Sequence, residues 1–391
     1  MEEKSKKNPS SFAQQLETLQ ATHQLRVLPQ LEIAHQYVTV EGEKMLNLSS
    51  NDYLGLSTND SLRNTFMEGL SPEKQLFSSS SSRLLTGNFA VYDAVERLLA
   101  QLFGAESALV FNSGYHMNLG ILPAISTSNT LILADKLVHA SIIDGIRLSA
   151  AKCIRYRHNQ YEQLAQLLER YHTQYERILL VTESIFSMDG DEADLLQLVA
   201  LKKQYNHVLL YVDEAHAFGV RGKTGLGCVE EKGCIDAVDF IAGTFGKAAA
   251  SVGAYVICSA VMRSYLINHM RPFIFTTALP PINMEWTHFI VKQMATFTQQ
   301  RQQLEQNSAY LRAALLAKTG TCISTSHIIP ILLGESEKAL MKAAELRRKG
   351  FYILPVRPPT VPEGTARLRI SMSPHLTEVE LQQLVELIIP H

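Results

Sequence analysis

Short apolar segments recur along the middle of this 391-residue chain, and stretches with helical spacing separate them. Six of these segments have the length and the branched or aromatic content of β-strands. They are ALVF from residue 108, TLILAD from 130, RILLVTES from 177, VLLYVDEA from 208, DFIAGTF from 239 and GAYVICS from 253. Because they are apolar on both faces and alternate with helices, they predict a mostly parallel sheet covered on both sides.

Two further regions flank this predicted sheet. Residues 12–26 have helical spacing and are followed by short strands, while a long helical region near the other end stops at Gly320. Beyond it lie predicted strands at IIPILLG, FYILPV and ARLRIS, and a last helix that opens on a capping box at 377–380. We therefore predict an N-terminal arm of a helix and short strands (1–50), a large α/β domain (51–283) and a smaller α+β domain (284–391).

Composition excludes some classes of protein. The net charge of −2 argues against a nucleic-acid partner, which needs clustered cations. No apolar run has the length of a signal peptide core or a membrane span, so we expect a cytoplasmic protein without a membrane partner. The five cysteines are scattered, which favours free thiols in a reducing compartment over a metal site.

Two short sequence motifs in one loop suggest a nucleotide hydrolase. DEAH occupies residues 213–216, and GKT occupies residues 222–224. A phosphate-binding P-loop needs GxxxxGK[ST] between a strand and a helix, but Ala217 stands where the first glycine belongs. The acids also precede the glycine within the same loop, whereas a nucleotide hydrolase carries them on a separate strand. The spacing therefore disfavours ATP hydrolysis.

Three residues near predicted strand ends remain as candidates for chemistry. Asp213 and His216 follow a buried strand, at the sheet edge where α/β proteins bind ligands, although a carboxylate there can also cap the next turn. Lys247 lies between an apolar strand and a run of Gly, Ala and Ser, which would let a flat cofactor approach. A desolvated Lys has a lowered pKa and can form a Schiff base, while an ordinary surface Lys is the alternative.

Seven segments, in order, resemble the α-oxoamine synthases, a family of pyridoxal-phosphate (PLP) enzymes of fold type I. They are LNLSSNDYLGLS (46–57), FNSGYHMN, ADKLVHAS, TESIFSMDGD, VDEAHAFGV, GTFGKA and RPPTVPEGTARLRISMS (357–373). The resemblance implies an aspartate-aminotransferase-like α/β large domain with a mostly parallel seven-stranded sheet, plus a smaller α+β C-terminal domain. It also implies pyridoxal 5'-phosphate as the cofactor.

The same resemblance implies roles around the cofactor ring. Lys247 would hold PLP as a Schiff base, and Asp213 would keep the pyridine nitrogen protonated, which makes the ring an electron sink. His216 and Ser187 would bind the ring hydroxyl region. His139 would stack on the ring and help with proton transfer, although an isolated His before a helix is more often a satisfied helix-start residue.

Phosphate and subunit contacts follow from the resemblance as well. Gly114 would offer a backbone N–H at a helix start, Tyr115 would place an aromatic ring nearby, and Thr244 would add a hydroxyl. Thr276 and Thr277 match residues that, in the family, reach the phosphate from the partner subunit. The implied assembly is a homodimer with shared active sites.

Four positions match substrate residues of the family. Asn51 and Arg369 match positions that hold the amino-acid carboxylate, for which the guanidinium fork of Arg is suited, although Arg369 could instead be a surface charge at a strand edge. Arg26 and Thr360 match positions near the acyl chain. The chain departs from the family pattern in a serine run at 78–82 and in three alanines at 248–250, and both changes could reshape the acyl site.

The implied activity is a decarboxylating condensation of an amino acid with an acyl thioester. The segment RPPTVPEGTARLR most resembles members that join L-alanine to a pimeloyl thioester, carried on CoA or on acyl carrier protein, in biotin biosynthesis. Rival members join glycine to acetyl-CoA or succinyl-CoA, or serine to a long acyl-CoA. A transaminase on the same fold is an alternative from another reaction class.

Overall fold

A computed structural model describes residues 11–388 and contains three sheets. Its strands are β1 (Glu32–Ala34), β2 (Tyr37–Val40), β3 (Glu43–Asn47), β4 (Ser107–Phe111), β5 (Thr130–Asp135), β6 (Lys152–Tyr156), β7 (Arg177–Glu183), β8 (Val208–Asp213), β9 (Phe240–Thr244), β10 (Ala254–Cys258), β11 (Ile328–Gly334), β12 (Phe351–Tyr352), β13 (Pro355–Val356) and β14 (Ala366–Ser371).

The described residues also form fourteen α-helices. They are α1 (Phe12–Ala21), α2 (Asp60–Gly69), α3 (Ala90–Phe103), α4 (Gly114–Ala124), α5 (Ala140–Leu148), α6 (Tyr161–Tyr171), α7 (Leu195–Lys202), α8 (Cys228–Glu231), α9 (Ala260–His269), α10 (Arg271–Ile274), α11 (Pro281–Lys292), α12 (Thr298–Thr319), α13 (Ser336–Arg348) and α14 (Glu378–Ile388). In the part of the chain that the structure describes, no helix combines the length and apolar character needed to cross a membrane.

The central sheet has seven strands in the order β4-β10-β9-β8-β7-β5-β6. β10 runs antiparallel to both of its neighbours, and the other adjacent pairs are parallel. All six predicted apolar segments form strands of this sheet, so the mostly parallel sheet is confirmed. The apolar segments did not predict β6. This edge strand has exposed Lys152 and Arg155, so it lacks an apolar run.

The N-terminal arm joins the C-terminal region through a second sheet. β1, β2 and β3 form an antiparallel ribbon, and β12 adds to β3 in parallel. β11, β14 and β13 form a third sheet. The single strand predicted at FYILPV is therefore wrong: β12 and β13 belong to different sheets, and Pro355, the first residue of β13, lacks the N–H that a continuous ladder needs.

Several local predictions can be compared directly with the structure. The first helix ends at Ala21 rather than Arg26, and Phe12 on its apolar side is 85% exposed. Gly320 ends α12 in the left-handed conformation, and Thr377 and Glu380 exchange the reciprocal bonds of a capping box. The proposed domain boundaries stay predictions, and residues 1–10 of the arm and 389–391 of the small domain lie outside the described residues.

A histidine fixes the loop that follows β7. His158 Nδ1 is 2.9 Å from Asp135 Oδ1 at the end of β5, and its Nε2 is 2.6 Å from Asp191 Oδ2 in that loop. Burial alone lowers the pKa of His158, but hydrogen bonds with the two carboxylates outweigh burial and raise it to about 10. Asp189 of the same loop pairs with Arg367 of β14, so this loop connects the large and small sheets.

Substituting His158→Gln tests this interaction through its pH dependence. Because the pKa of His158 is raised, its charge stabilises the fold fully below its ordinary value of about 6.5, and that contribution is lost as the pH rises through about 10. We expect the variant's thermal midpoint to lie about 2–4 °C below wild type at pH 6, with a gap that narrows toward pH 10. A gap that stays constant across this range, or matches that of the exposed control His23→Gln, would contradict the interpretation.

Candidate active site

Lys247 and His216 meet at the carboxyl edge of the central sheet. Lys247 follows β9 by three residues, His216 follows β8 by three residues, and their Nζ and Nε2 atoms are 2.8 Å apart. Burial lowers the pKa of Lys247 to about 8, although the charges of Asp213 and Glu183 oppose this shift. The amine is therefore partly neutral near pH 8, which is the form that attacks a carbonyl.

Tyr53 connects this pair to the substrate candidates. Its hydroxyl is 2.7 Å from His216 Nδ1 and donates to Asn51 Oδ1 at 2.9 Å, while Arg369 Nη2 donates to it at 3.1 Å. Since the hydroxyl hydrogen goes to Asn51, His216 donates from Nδ1 and accepts from Lys247 at Nε2. Tyr53 is 1% exposed. Tyr53 was not predicted as a site residue, because a tyrosine in NDYLGLS has the appearance of a core residue.

Arg369 extends from β14 of the small sheet into the same site. Its Nε donates to the backbone oxygen of Ser187 at 2.5 Å, and its Nη1 lies 3.3 Å from Asn51 Oδ1 and 2.8 Å from Ser371 Oγ. The side chain is thus half-buried and tethered on three sides, unlike a surface charge at a strand edge. Its position beside Asn51 suits a small carboxylate.

Asp213 and His139 form a second part of the site. Asp213 Oδ1 accepts from the backbone N–H of Ala215, and its Oδ2 accepts from Asn118, each at 2.9 Å. His139 precedes α5, where its Nδ1 accepts from Ser141. Burial lowers the pKa of His139, so its ring is neutral at pH 7. His139 caps the helix start, and the charges of Asp213 and Lys247 act on its pKa. Its expected role at the cofactor ring stays a prediction.

The geometry of these residues fits pyridoxal phosphate. At one end, α4 starts at Gly114, and a Cβ atom added there would lie 3.8 Å from Thr244, so a helix N-terminus and a hydroxyl adjoin for an anion. At the other end, Asp213 offers a carboxylate for a ring N–H. Between them, Lys247 offers the amine, and Glu183 has a buried Oε1 without a hydrogen-bond partner among the described residues. When bound, PLP would supply an electron sink there.

Tyr115, Thr276 and Thr277 lie in two other parts of the structure. Tyr115 is half-exposed, and its hydroxyl donates to Asp144 of α5. Thr276 and Thr277 follow α10, where the backbone oxygen of Thr277 accepts from Asn112 at 2.6 Å. The structure describes one subunit, so the expected contact of Thr276 and Thr277 with a partner's phosphate site stays a prediction.

Arg26 and Thr360 lie together although 334 positions separate them in sequence. Arg26 Nη2 donates to Thr360 Oγ1 at 2.7 Å. Thr360 borders a groove of about 930 Å³ whose lining also includes Val138 and Ala140, the neighbours of His139, and Phe186, the neighbour of Ser187. The groove therefore borders the segments that carry His139 and Ser187 and extends to Thr360.

In the structure, residues of the DEAH and GKT motifs make contacts within their own loop. Glu214 is buried and accepts from the backbone N–H groups of Cys228 and Val229, so it caps α8 while Asp213 faces the site. Glu230 accepts from the N–H and hydroxyl of Thr224. A Cβ atom added to Gly222 would lie 2.1 Å from the Glu230 carboxylate. This loop encloses an internal carboxylate where a P-loop would hold phosphate, which agrees with the argument against ATP hydrolysis.

The two departures from the family pattern lie close to the site. In the serine run, Ser79 donates to the backbone oxygen of Leu279 at 2.6 Å, and the backbone oxygen of Ser81 accepts from Ala278. The serine run is therefore bonded to the segment that carries Thr276 and Thr277. In the alanine run, Ala250 has a φ of 45°, a left-handed conformation that favours glycine.

The pH dependence of Lys247 reactivity provides a test of this geometry. We expect Schiff-base formation between Lys247 and added pyridoxal phosphate to rise with a midpoint near pH 8. Arg369→Gln should move that midpoint upward, because the positive charge of Arg369 contributes to lowering the pKa of Lys247. Borohydride trapping and peptide quantification across pH 6–10 would measure it, with Arg312→Gln, whose charge does not contribute to the Lys247 shift, as control. An unchanged or lower midpoint in Arg369→Gln would contradict the account.

Comparison with known proteins identifies the family. The model of the family Aminotransferase class I and II matches residues 43–388. A Haemophilus influenzae protein provisionally named 8-amino-7-oxononanoate synthase is 54% identical over 373 residues, which cover 95% of this chain and 98% of that protein. A Neisseria meningitidis protein with the same provisional name is also 54% identical, with 95% and 98% coverage.

Solved structures show the same fold. A serine palmitoyltransferase from S. paucimobilis, bound to PLP and myriocin, superposes with a TM-score of 0.88 at 28% identity and covers 96% of this chain and 95% of its own. An 8-amino-7-oxononanoate synthase from Francisella tularensis has a TM-score of 0.75 at 29% identity, with 88% and 96% coverage. The aspartate-aminotransferase-like fold and the PLP cofactor are thereby confirmed. The chain belongs to the α-oxoamine synthase family of pyridoxal-phosphate-dependent enzymes of fold type I.

Proposed function

We propose that this enzyme condenses L-alanine with a pimeloyl thioester to give 8-amino-7-oxononanoate, CO2 and the free thiol carrier, a step of biotin biosynthesis in the cytoplasm. The observation that carries the proposal is the hydrogen-bonded connection from Lys247 through His216 and Tyr53 to Arg369. In this arrangement the Arg369 guanidinium, which would bind a carboxylate, lies near an amine of lowered pKa. The provisional names of the relatives support the choice of amino acid and acyl donor.

The residues of the site would bind the amino acid, remove its Cα proton and return a proton later. Arg369 and Asn51 would hold the carboxylate of alanine, which leaves the Cα–H bond facing Lys247. The neutral Lys247 amine would take the Cα proton, and its lowered pKa makes that neutral form available near pH 8. His216, neutral because burial lowers its pKa, would accept a hydrogen bond from the lysine and orient it. His139 would guide the later return of a proton.

The groove beside the site would hold the acyl donor. It starts at Val138 and Ala140 and reaches Thr360, which Arg26 contacts. The Arg26 guanidinium suits the free carboxylate at the far end of a pimeloyl chain, whereas an acetyl group has no such charge. This difference favours the pimeloyl donor over the acetyl donor of the rival reaction with glycine. CoA and acyl carrier protein present the same thioester and are both candidate carriers.

We also propose a homodimer with shared active sites. Large apolar side chains are exposed around the segment that carries Thr276 and Thr277: Phe275 and Phe77 are each 72% exposed, and Leu85 is 79% exposed. The backbone bond between Ser81 and Ala278 holds the two stretches together. Exposed large apolar side chains on neighbouring segments are typical of a subunit interface.

A paired substrate assay tests the proposed reaction. With PLP-loaded enzyme, we expect thiol release and CO2 from L-alanine with pimeloyl-CoA, and none from glycine with acetyl-CoA. Release only with the second pair would transfer the enzyme to the rival reaction. Formation of a keto acid from alanine without thiol release would instead indicate a transaminase.

Two substitutions assign the roles of the residues in that assay. Lys247→Ala should abolish turnover while leaving the fold intact, as judged by circular dichroism; full activity in this variant would contradict the mechanism. Arg369→Gln should raise the KM for L-alanine about 10- to 100-fold, because hydrogen bonds to a charged carboxylate are lost. The KM of Arg369→Gln for pimeloyl-CoA should stay near that of wild type. In the control Arg312→Gln, the KM for L-alanine and the KM for pimeloyl-CoA should both stay near wild type.

A further inference from the structure

Asn118 is a buried polar residue of α4 for which neither the sequence nor the family resemblance gave a role. It is 2% exposed, and its amide contacts three side chains. Its Oδ1 accepts from the hydroxyl of Tyr211, and its Nδ2 donates to Asp213 Oδ2 at 2.9 Å and to Ser141 Oγ at 3.0 Å. Both hydrogens of the amide nitrogen are therefore used, and its oxygen is satisfied.

The orientation of this amide is determined by its neighbours. Rotating it by half a turn would bring its oxygen against the Asp213 carboxylate, so that two acceptors would face each other in a buried place. It would also separate the Tyr211 hydroxyl from its acceptor. The network therefore selects the orientation in which Asn118 is a donor to both Asp213 and Ser141.

One branch of the network acts on Asp213. The Oδ2 atom accepts from Asn118, and the Oδ1 atom accepts from the backbone N–H of Ala215. Each carboxylate oxygen is therefore an acceptor of one N–H group. The two N–H groups together fix the plane of the carboxylate.

The other branch acts on His139. Because Ser141 Oγ accepts from Asn118, its own hydrogen is free for His139 Nδ1, 2.8 Å away. The backbone N–H of Ser141 also points at this nitrogen, at 3.2 Å. Nδ1 is therefore an acceptor, and a neutral His139 ring carries its hydrogen on Nε2.

The charged groups around His139 leave this state in place. Burial lowers the pKa of His139, and the positive charge of Lys247 lowers it further, while Asp213 and Asp144 oppose the shift. The buried Glu183 also lies near the backbone of His139. The ring is accordingly neutral at pH 7, so the position of its single hydrogen is the property that Ser141 and Asn118 can determine.

We propose that Asn118 is a positioning residue that couples Asp213 to His139: it holds Asp213 as an acceptor and, through Ser141, keeps the hydrogen of His139 on Nε2. The proposal rests on the proposed function and on the roles that the family resemblance implies, with Asp213 at the ring nitrogen and His139 at the ring face. One shared residue would then set the donor and acceptor pattern on both groups before any ligand binds.

The tautomer of His139 provides the first test. In PLP-free protein labelled with ¹⁵N-histidine, the two ring nitrogens of His139 can be identified by their loss in His139→Gln. We expect the hydrogen on Nε2 in wild type, and a mixture of tautomers in Ser141→Ala and Asn118→Leu. Asn307→Leu, which removes an equally buried amide distant from the site, should leave the signal unchanged. A wild-type hydrogen on Nδ1, or an unchanged tautomer in both site variants, would overturn the proposal.

The affinity for PLP provides the second test. It distinguishes the contact of Asn118 with Asp213 from its contact with His139 through Ser141. Asn118→Leu should weaken PLP binding about 10-fold or more, because Asp213 loses a donor, whereas Ser141→Ala should stay within about 3-fold of wild type. Equal affinity in wild type and Asn118→Leu would overturn the Asp213 branch. If Asn118→Leu does not fold, Asn118→Ser, which has no second donor, replaces it. If wild type itself binds no PLP, the proposed function fails, while the tautomer measurement still decides the role of Asn118.

Discussion

The register between parallel strands β7, β8 and β9 determines the site. Glu183 stands opposite Asp213 across β7 and β8, and Asp213 stands opposite Ala242 across β8 and β9. The three strands therefore end at the same edge, and the loops that follow them deliver His216 and Lys247 to one place. A shift of one residue in β8 would exchange Asp213 with Glu214, and the carboxylate that caps α8 would replace the one that faces Asn118.

Charges of both signs are concentrated at this edge with little access to water. Lys247 and Arg369 supply the positive charges, and Asp213 and Glu183 supply acidic groups on neighbouring strands. Burial has opposite effects on the two kinds of group: it lowers the pKa of Lys247 and raises the pKa of Glu183 well above its ordinary value, with Asp213 adding to the latter. Both shifts favour the neutral forms, which leaves Asp213 and Arg369 as the charged pair that a zwitterionic amino acid and a pyridinium ring would meet.

Much of this architecture could be predicted from the sequence because it depends on local patterns. The apolar runs located six of the seven central strands, and the position of Asp213, His216 and Lys247 after strands placed them at one edge. Tyr53 and Asn118 could not be found this way, since their partners are 163 and 95 positions away in the sequence. β6 and the divided FYILPV segment were missed because edge exposure and sheet partners are tertiary properties. The roles of the site residues and the domain boundaries remain predictions.

The central claim is that Lys247, at the end of β9, is the residue that holds pyridoxal phosphate. The most direct measurement is borohydride reduction of the PLP-loaded protein, followed by digestion and mass spectrometry of every lysine-containing peptide. The account predicts one reduced PLP group per chain, on Lys247. A label on another lysine, such as Lys223 of the GKT loop, or protein that binds PLP without any reducible bond, would contradict it.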